Sequence, residues 1–351
     1  MNKSRIDINK LVRPNIAGLR SYSSARDEFT GSEKKMIFLD ANENPFDNGL
    51  NRYPDPHQNI LKEKISEIKG IPAKEMLLGN GSDEVLDLLL RAFCEPKQDN
   101  ILTFPPTYGM YQVLADINNV GIKKVLLNDE FQIDVEKAFV EIDENTKIVF
   151  ICSPNNPTGN LMEEERIISL LENFNGLVVI DEAYIDFTDS ESWIGRIGDY
   201  KNLVVTQTFS KAMGRAGIRL GICYANKEII NILNAIKPPY NVNILTQKEG
   251  LNVLNEYKNI LEQKDQIIKY KRQLINKIKE IKFIEKIFKT DANFLLIKVD
   301  DADKRYRQIL EKGIVVRNRN TQPKCKNCLR ITIGTDTQNN ELYNVLKSIE
   351  S

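Results

Sequence analysis

Ile148-Val-Phe-Ile-Cys-Ser-Pro-Asn-Asn-Pro-Thr-Gly159 passes from an unbroken apolar run straight into a turn built of two prolines and a glycine. A short run with no polar face reads as a strand buried on both sides, the mark of a parallel sheet covered by helices. The prolines and glycine predict a rigid turn at the strand's C-terminal end. In open α/β sheets that end is where ligands bind. The turn is therefore a candidate binding element, with Asn156 held in place and its side-chain amide available as a donor.

The same pattern repeats on either side. Strands are expected at Ile101-Leu-Thr-Phe, Lys124-Val-Leu-Leu, Leu177-Val-Val-Ile, Leu203-Val-Val-Thr and Leu220-Gly-Ile-Cys-Tyr, and a short one at Met36-Ile-Phe-Leu-Asp. Helical periodicity falls between them, at 82–93, 107–118, 134–141 and 163–173. Alternation of this kind predicts an α/β fold with a large, mostly parallel sheet. Past residue 226 the character changes. Residues 227–282 read as largely helical, and strand-like stretches at 292–299, 314–317 and 329–333 alternate with helices at 302–312 and 337–350. This predicts a second, smaller α+β unit. The expected division is a large domain over 45–235, with 1–44 and 236–351 forming the small one.

The 351 residues carry 49 Lys+Arg against 49 Asp+Glu. A balanced charge favours neither nucleic acid nor an anionic membrane as a partner. The N-terminus has no apolar h-region, and no apolar run approaches a bilayer's thickness, so a cytoplasmic protein is expected. Five scattered cysteines fit a reducing compartment. The Cys325-Lys-Asn-Cys328 pair stands alone and reads as incidental rather than as a zinc or redox site. The single histidine, His57, lies in the turn-rich Tyr53-Pro-Asp-Pro-His. A multi-histidine metal site is excluded, and proton transfer must rest on another residue type.

Thr208-Phe-Ser-Lys-Ala-Met-Gly-Arg-Ala-Gly-Ile-Arg219 follows an apolar run and offers that residue. A lysine such as Lys211 can form a Schiff base with a carbonyl compound, or lie in a solvated surface turn. Thr208, Ser210 and Arg219 suit a phosphate on the same molecule. Pyridoxal phosphate, an aldehyde with a phosphate tail, would be secured at both ends. Leu177-Val-Val-Ile-Asp-Glu-Ala-Tyr184 ends a buried run in a carboxylate. Asp181 could pair with a protonated pyridine nitrogen, or else be a helix cap or half of an ion pair. Tyr184 could reach the ring's phenolic oxygen. Gly79-Asn-Gly-Ser-Asp-Glu84 opens a helix with Ser82 or Asp83 as the expected cap. It reads either as an anion site or as an ordinary helix start. Tyr108, after the strand at 101–104, could stack on a flat ring or pack in the core. Arg317 and Arg330, each beside a β-rich run, suit bidentate capture of a carboxylate or phosphate, or surface ion pairs.

Taken in order, SPNNPTG, VVIDEAY and TFSKA…GIR resemble the class I/II aminotransferases, pyridoxal-phosphate enzymes of fold type I. The resemblance runs from about residue 11 to the end. More narrowly, Val12-Arg-Pro-Asn, Tyr22-Ser-Ser-Ala-Arg, Leu39-Asp-Ala-Asn-Glu-Asn-Pro, Arg52-Tyr-Pro-Asp and Cys328-Leu-Arg-Ile-Thr-Ile-Gly-Thr resemble the branch of that family acting on histidinol phosphate. The resemblance implies Lys211 as cofactor anchor and base, and Asp181 on the ring nitrogen. It puts Asn156 and Tyr184 on the ring oxygen and Tyr108 against the ring. It implies that the Gly81-Ser82-Asp83 backbone, Thr208, Ser210 and Arg219 hold the cofactor phosphate, with Tyr53 reaching in from the second subunit of a homodimer. Tyr22, Asn156, Arg317 and Arg330 would hold substrate. The implied reaction moves an amino group from histidinol phosphate to 2-oxoglutarate, yielding glutamate, in histidine biosynthesis. Aromatic amino-acid aminotransferases and threonine-phosphate decarboxylase are the nearest alternatives on the same fold. Arg215 departs from the family, which often has an apolar residue there, and bears only on local packing.

Overall fold

A computed structural model describes residues 6–19 and 36–350. Its strands are β1 Met76–Asn80, β2 Asn100–Thr103, β3 Gly121–Lys124, β4 Thr146–Cys152, β5 Leu177–Asp181, β6 Leu203–Thr208, β7 Leu220–Ala225, β8 Ile284–Ile287, β9 Phe294–Val299, β10 Arg317–Asn318 and β11 Cys328–Thr332. Its α-helices are α1 Ile8–Leu11, α2 Pro14–Ala17, α3 Asn59–Lys69, α4 Ser82–Phe93, α5 Met110–Asn118, α6 Val135–Glu141, α7 Glu164–Asn173, α8 Lys227–Ile236, α9 Ile244–Asn255, α10 Tyr257–Ile278, α11 Ala302–Glu311 and α12 Asp336–Ser348.

β1 to β7 form one sheet in the order β1-β7-β6-β5-β4-β2-β3. The pairs from β3 through β6 are parallel, and β7 runs antiparallel to both β6 and β1. Strand alternation sorts the side chains onto two faces. Val149, Ile151, Val178, Ile180 and Val205 join a core that includes Leu61 of α3 and Leu170 of α7. Ile148, Phe150, Leu177, Val179 and Val204 join a second core with Leu89 of α4 and Ile229 of α8. Both faces are covered, which is why these strands carry no polar face. The N-terminal segment, expected with the smaller unit, has Ile8 and Val12 in this second core.

β8 to β11 form an antiparallel sheet in the order β10-β11-β9-β8. Leu295, Ile297, Leu329 and Ile331 pack there against Leu274 of α10, Ile309 of α11 and Leu346 of α12. Among the described residues no helix is long and apolar enough to cross a membrane.

Three expectations need correcting. Residues 36–40 form no strand, and Ile37 and Leu39 are 84% and 86% exposed: they pair with no strand among the described residues. The strand expected over 124–127 lies at Gly121–Lys124 instead. Val125 and Leu127 are buried in an extended tail that keeps isolated backbone bonds to Thr103 and Pro105. Neither Ser82 nor Asp83 caps α4. Gly81 holds the cap position at φ 79°, with no side-chain bond to the first turn.

Candidate active site

Register brings the motifs together. Cys152 pairs with Asp181, and Asp181 with Thr206, so β4, β5 and β6 end side by side. Thr208 lies opposite Gly221, and Gly221 opposite Gly79. A cavity of about 500 Å³ opens at these strand ends. Ser82, Asp83, Tyr108, Asn156, Asp181, Tyr184, Thr208, Ser210, Lys211 and Arg219 line it from the large sheet. Arg317, Arg319 and Arg330 face them from the small one.

Lys211 has its Nζ 5.6 Å from the centre of the Tyr184 ring. Its pKa is lowered, first by burial and then by the positive charge of Arg330, while Asp181 pulls it back up. Asp181 is buried, which raises its carboxyl to about 6. Hydrogen bonds from Tyr111 Oη at 3.0 Å and the Ala183 N–H at 3.1 Å oppose that rise. A buried carboxylate aimed into a cavity and only partly compensated is a socket for a cationic ring nitrogen.

At the opposite end, β7 crosses the start of α4 so closely that a Cβ on Gly221 would come within 2.2 Å of the Ser82 nitrogen. A Cβ on Gly81 would meet the Arg219 guanidinium at 2.5 Å. These two glycines let the uncapped first turn of α4, Arg219 and Ser210 converge. Arg219 Nη1 lies 3.4 Å from Ser210 Oγ, and Nη2 3.5 Å from Asp83. Free helix amides beside a guanidinium and hydroxyls form a phosphate cradle. The donor set therefore fits pyridoxal phosphate at both ends.

The turn at 153–159 is stiffened from inside by Asn155. Its Nδ2 donates to Pro106 O at 2.8 Å and to Thr158 Oγ1 at 2.7 Å. Neighbouring Asn156 accepts a hydrogen bond from Arg330 Nη1 at its Oδ1. That fixes the amide so that Nδ2 is left to donate. Tyr108 bonds to Asp83 at 3.1 Å and sits edge-on to Tyr111. Arg215 pairs with Glu249 of α9 at 2.8 Å, which accounts for a charge at that position.

Two expected residues lie elsewhere. Tyr22 is outside the described residues. Tyr53 lines no part of this cavity; it is exposed and stacked on Tyr240 at 4.4 Å. Glu43 explains two of the quoted motifs together, because it accepts from the Tyr53 N–H and from Arg52 Nη1, both at 2.6 Å. His57 is an exposed turn residue just before α3.

Sequence reasoning missed Tyr111, Arg319 and Gly221. Tyr111 lies in the first turn of α5, just past Tyr108 in the preceding loop, and no sequence spacing singles it out. Arg319 follows Arg317 by two, the spacing of one face of extended chain. Gly221 follows Arg219 in the strand that grazes the helix start. Among the described residues no cluster of three or more His, Cys, Asp or Glu could hold a metal ion.

Comparison with known proteins agrees with this geometry. Residues 35–346 match the family described as aminotransferase class I and II. The chain is 61% identical over 345 residues to a histidinol-phosphate aminotransferase of Christiangramia forsetii, covering 98% of this chain and 99% of that protein. A protein of the same name from Flavobacterium johnsoniae is 57% identical over 342 residues, covering 97% and 98%. Among solved structures, the histidinol-phosphate aminotransferase of Clostridium acetobutylicum is similar at a TM-score of 0.79 and 29% identity, covering 86% of this chain and 91% of that one.

Proposed function

The chain belongs to the class I and II aminotransferases, and from that premise we propose that it transfers the amino group of histidinol phosphate to 2-oxoglutarate, forming imidazole-acetol phosphate and glutamate in histidine biosynthesis. The observation that carries this reading is the meeting of Lys211 and buried Asp181 in one cavity whose far wall is arginine-rich.

Pyridoxal phosphate, when bound, supplies an electron sink for the negative charge that develops at the substrate's α-carbon. Asp181 holds the ring nitrogen in its cationic form, the partner that its buried charge calls for. Asn156 Nδ2 and the Tyr184 hydroxyl would hold the ring oxygen, and Tyr108 would lie against the ring. The Gly81–Asp83 backbone, Thr208, Ser210 and Arg219 hold the phosphate. Lys211 anchors the cofactor and then serves as the base. Its lowered pKa leaves the amine neutral over a wider pH range. With the cofactor bound, that amine would take the proton from the substrate's α-carbon and hold it for the return step. Arg317 and Arg330 hold the anionic end, a phosphate in one half-reaction and a carboxylate in the other. Using one anion site for both substrates fits a ping-pong cycle.

We infer a homodimer with Tyr53 completing the neighbouring site. Supporting this, Ile37, Leu39, Phe46, Leu50 and Tyr53 form an exposed apolar run along one segment, the kind of surface that a second copy covers. All five cysteines are free, which fits a reducing cytoplasm.

The direct test is transamination of histidinol phosphate with 2-oxoglutarate, beside phenylalanine, tyrosine and threonine phosphate. Keto product and glutamate from histidinol phosphate are expected. Carbon dioxide release from threonine phosphate, or preference for the aromatic amino acids, would sink the substrate assignment. Mixing a Lys211→Ala subunit with a Tyr53→Phe subunit tests the shared site: one intact site per mixed dimer restores part of the activity.

A further inference from the structure

Three arginines, not two, stand at the substrate's end of the cavity. Arg317 and Arg330 are paired across β10 and β11, and Arg319 follows two residues along. Among the described residues none of the three forms an ion pair with a carboxylate. Arg330 is engaged by Asn156 on one side and by the Phe294 ring, 5.2 Å away, on the other. The Nε atoms of both Arg319 and Arg330 are buried and lack a hydrogen-bond partner among the described residues. Burial and the charges of Arg330 and Arg317 push Arg319 down to about 10. The loop carrying Arg319 is well tied. Its N–H donates to Cys328 O at 2.9 Å, and its carbonyl accepts from Gln322 N at 2.9 Å. The side chain is therefore aimed into the cavity by a fixed backbone, with its Nε left without a hydrogen-bond partner among the described residues.

A buried, unpaired donor in a cationic cluster marks where an anion belongs. A carboxylate offers one charge and two oxygens, which Arg317 and Arg330 satisfy. A phosphate monoester offers three oxygens and a charge of about −1.5 to −2 near neutral pH. We propose that Arg319 is the specificity-determining residue of this site: it takes the third phosphate oxygen and second charge of the amino donor, and contributes little to a carboxylate-ended acceptor.

The inference rests on the histidinol-phosphate reading and is tested on the holoenzyme by following the two half-reactions separately. For Arg319→Gln, kcat/KM for histidinol phosphate is expected to fall about 10- to 100-fold, the weight of a hydrogen bond to a charged group. The half-reaction with 2-oxoglutarate should stay within about threefold of wild type on the same argument. Arg319→Lys should recover part of the loss, since charge survives and the planar fork does not. In the wild type, kcat/KM for histidinol phosphate should drop as the phosphate gains a proton near about pH 6, and Arg319→Gln should flatten that drop. A merely structural role would not alter the pH profile. Equal losses in both half-reactions, or no loss in either, would overturn the inference. The two readings fail differently. If wild-type enzyme does not convert histidinol phosphate, the substrate assignment falls and takes this inference with it. If it does, and Arg319→Gln shows no selectivity, this inference falls alone.

Discussion

Tyr111 donates its phenolic proton to Asp181 Oδ2 at 3.0 Å, and both residues are buried. The bond stabilises the ionised carboxylate against the burial that raises it to about 6. In Tyr111→Phe the Ala183 N–H is the remaining partner, so the carboxyl climbs further. A hydrogen bond to a charged group is worth about 1.5–3 kcal/mol. We expect kcat to fall about tenfold, with the acid limb of its pH profile moved to higher pH. A profile with the wild-type acid limb would argue that Tyr111 only packs against Phe150.

Asp181 also carries a stability cost. Its carboxyl is raised from 3.8 to about 6 by burial, so the folded protein binds this proton more tightly than the unfolded chain does. That stabilising contribution is present below about pH 4 and lost as pH rises through about 6. Above it the ionised group costs about 3 kcal/mol in the apoprotein. Apo Asp181→Asn is therefore expected to unfold at higher urea than apo wild type at pH 8, and to show little advantage at pH 4. Transamination should be lost. Urea midpoints at the two pH values check this, and a variant less stable at pH 8 would refute the sign.

Gly221 is required by a close approach rather than by its backbone angles. A methyl group there would sit 2.2 Å from the Ser82 nitrogen. Gly221→Ala must push β7 from α4 or shift the first turn of α4, at a cost of about 1–3 kcal/mol. The shift moves the amides away from Ser210 and Arg219. We expect pyridoxal phosphate to be lost on dialysis at a rate well above wild type's, while far-UV circular dichroism stays native. Unchanged retention would mean that the amides do not hold the phosphate.

The layered fold was legible because burial on both faces erases polar alternation from β4, β5 and β6. The site was legible where a motif is contiguous, as around Asn156, Asp181 and Lys211. It was illegible where partners meet only through register. Gly221 matters because β7 passes over α4, and Arg319 because β10 pairs with β11 and so brings it beside Arg330 at the cavity. No local pattern records either crossing. Residues 36–40 misled for the opposite reason. Their unbroken apolar run is genuine, but Ile37 and Leu39 face solvent in this chain and pair with no strand among the described residues.

Arg215 pairs with Glu249 at 2.8 Å, both about a third exposed. Solvent screens such a pair, so Arg215→Ala should change stability little. Its backbone N–H donates to Phe209 O at 2.9 Å, and that bond survives the substitution. We expect a small drop in thermal midpoint, reduced further by salt, with kcat and KM unchanged. A large loss of activity would mean that the pair positions Lys211.

Lys211 titrates under several competing influences, and each can be removed singly. Burial lowers its pKa most, and Arg330 lowers it next; Asp181 opposes them, and Arg219 again lowers it. In the apoprotein, Lys211 should therefore react with acetic anhydride at a lower pH than exposed lysines do. Arg330→Gln takes away a positive neighbour, so the labelling midpoint should move up. Asp181→Asn takes away a negative one, so above about pH 6, where that carboxyl is ionised, the midpoint should move down. Site-resolved mass spectrometry of the labelled protein reads all three. If Lys211 labels with the exposed lysines, burial and Arg330 do not set its basicity, and the base at neutral pH must be sought in another group.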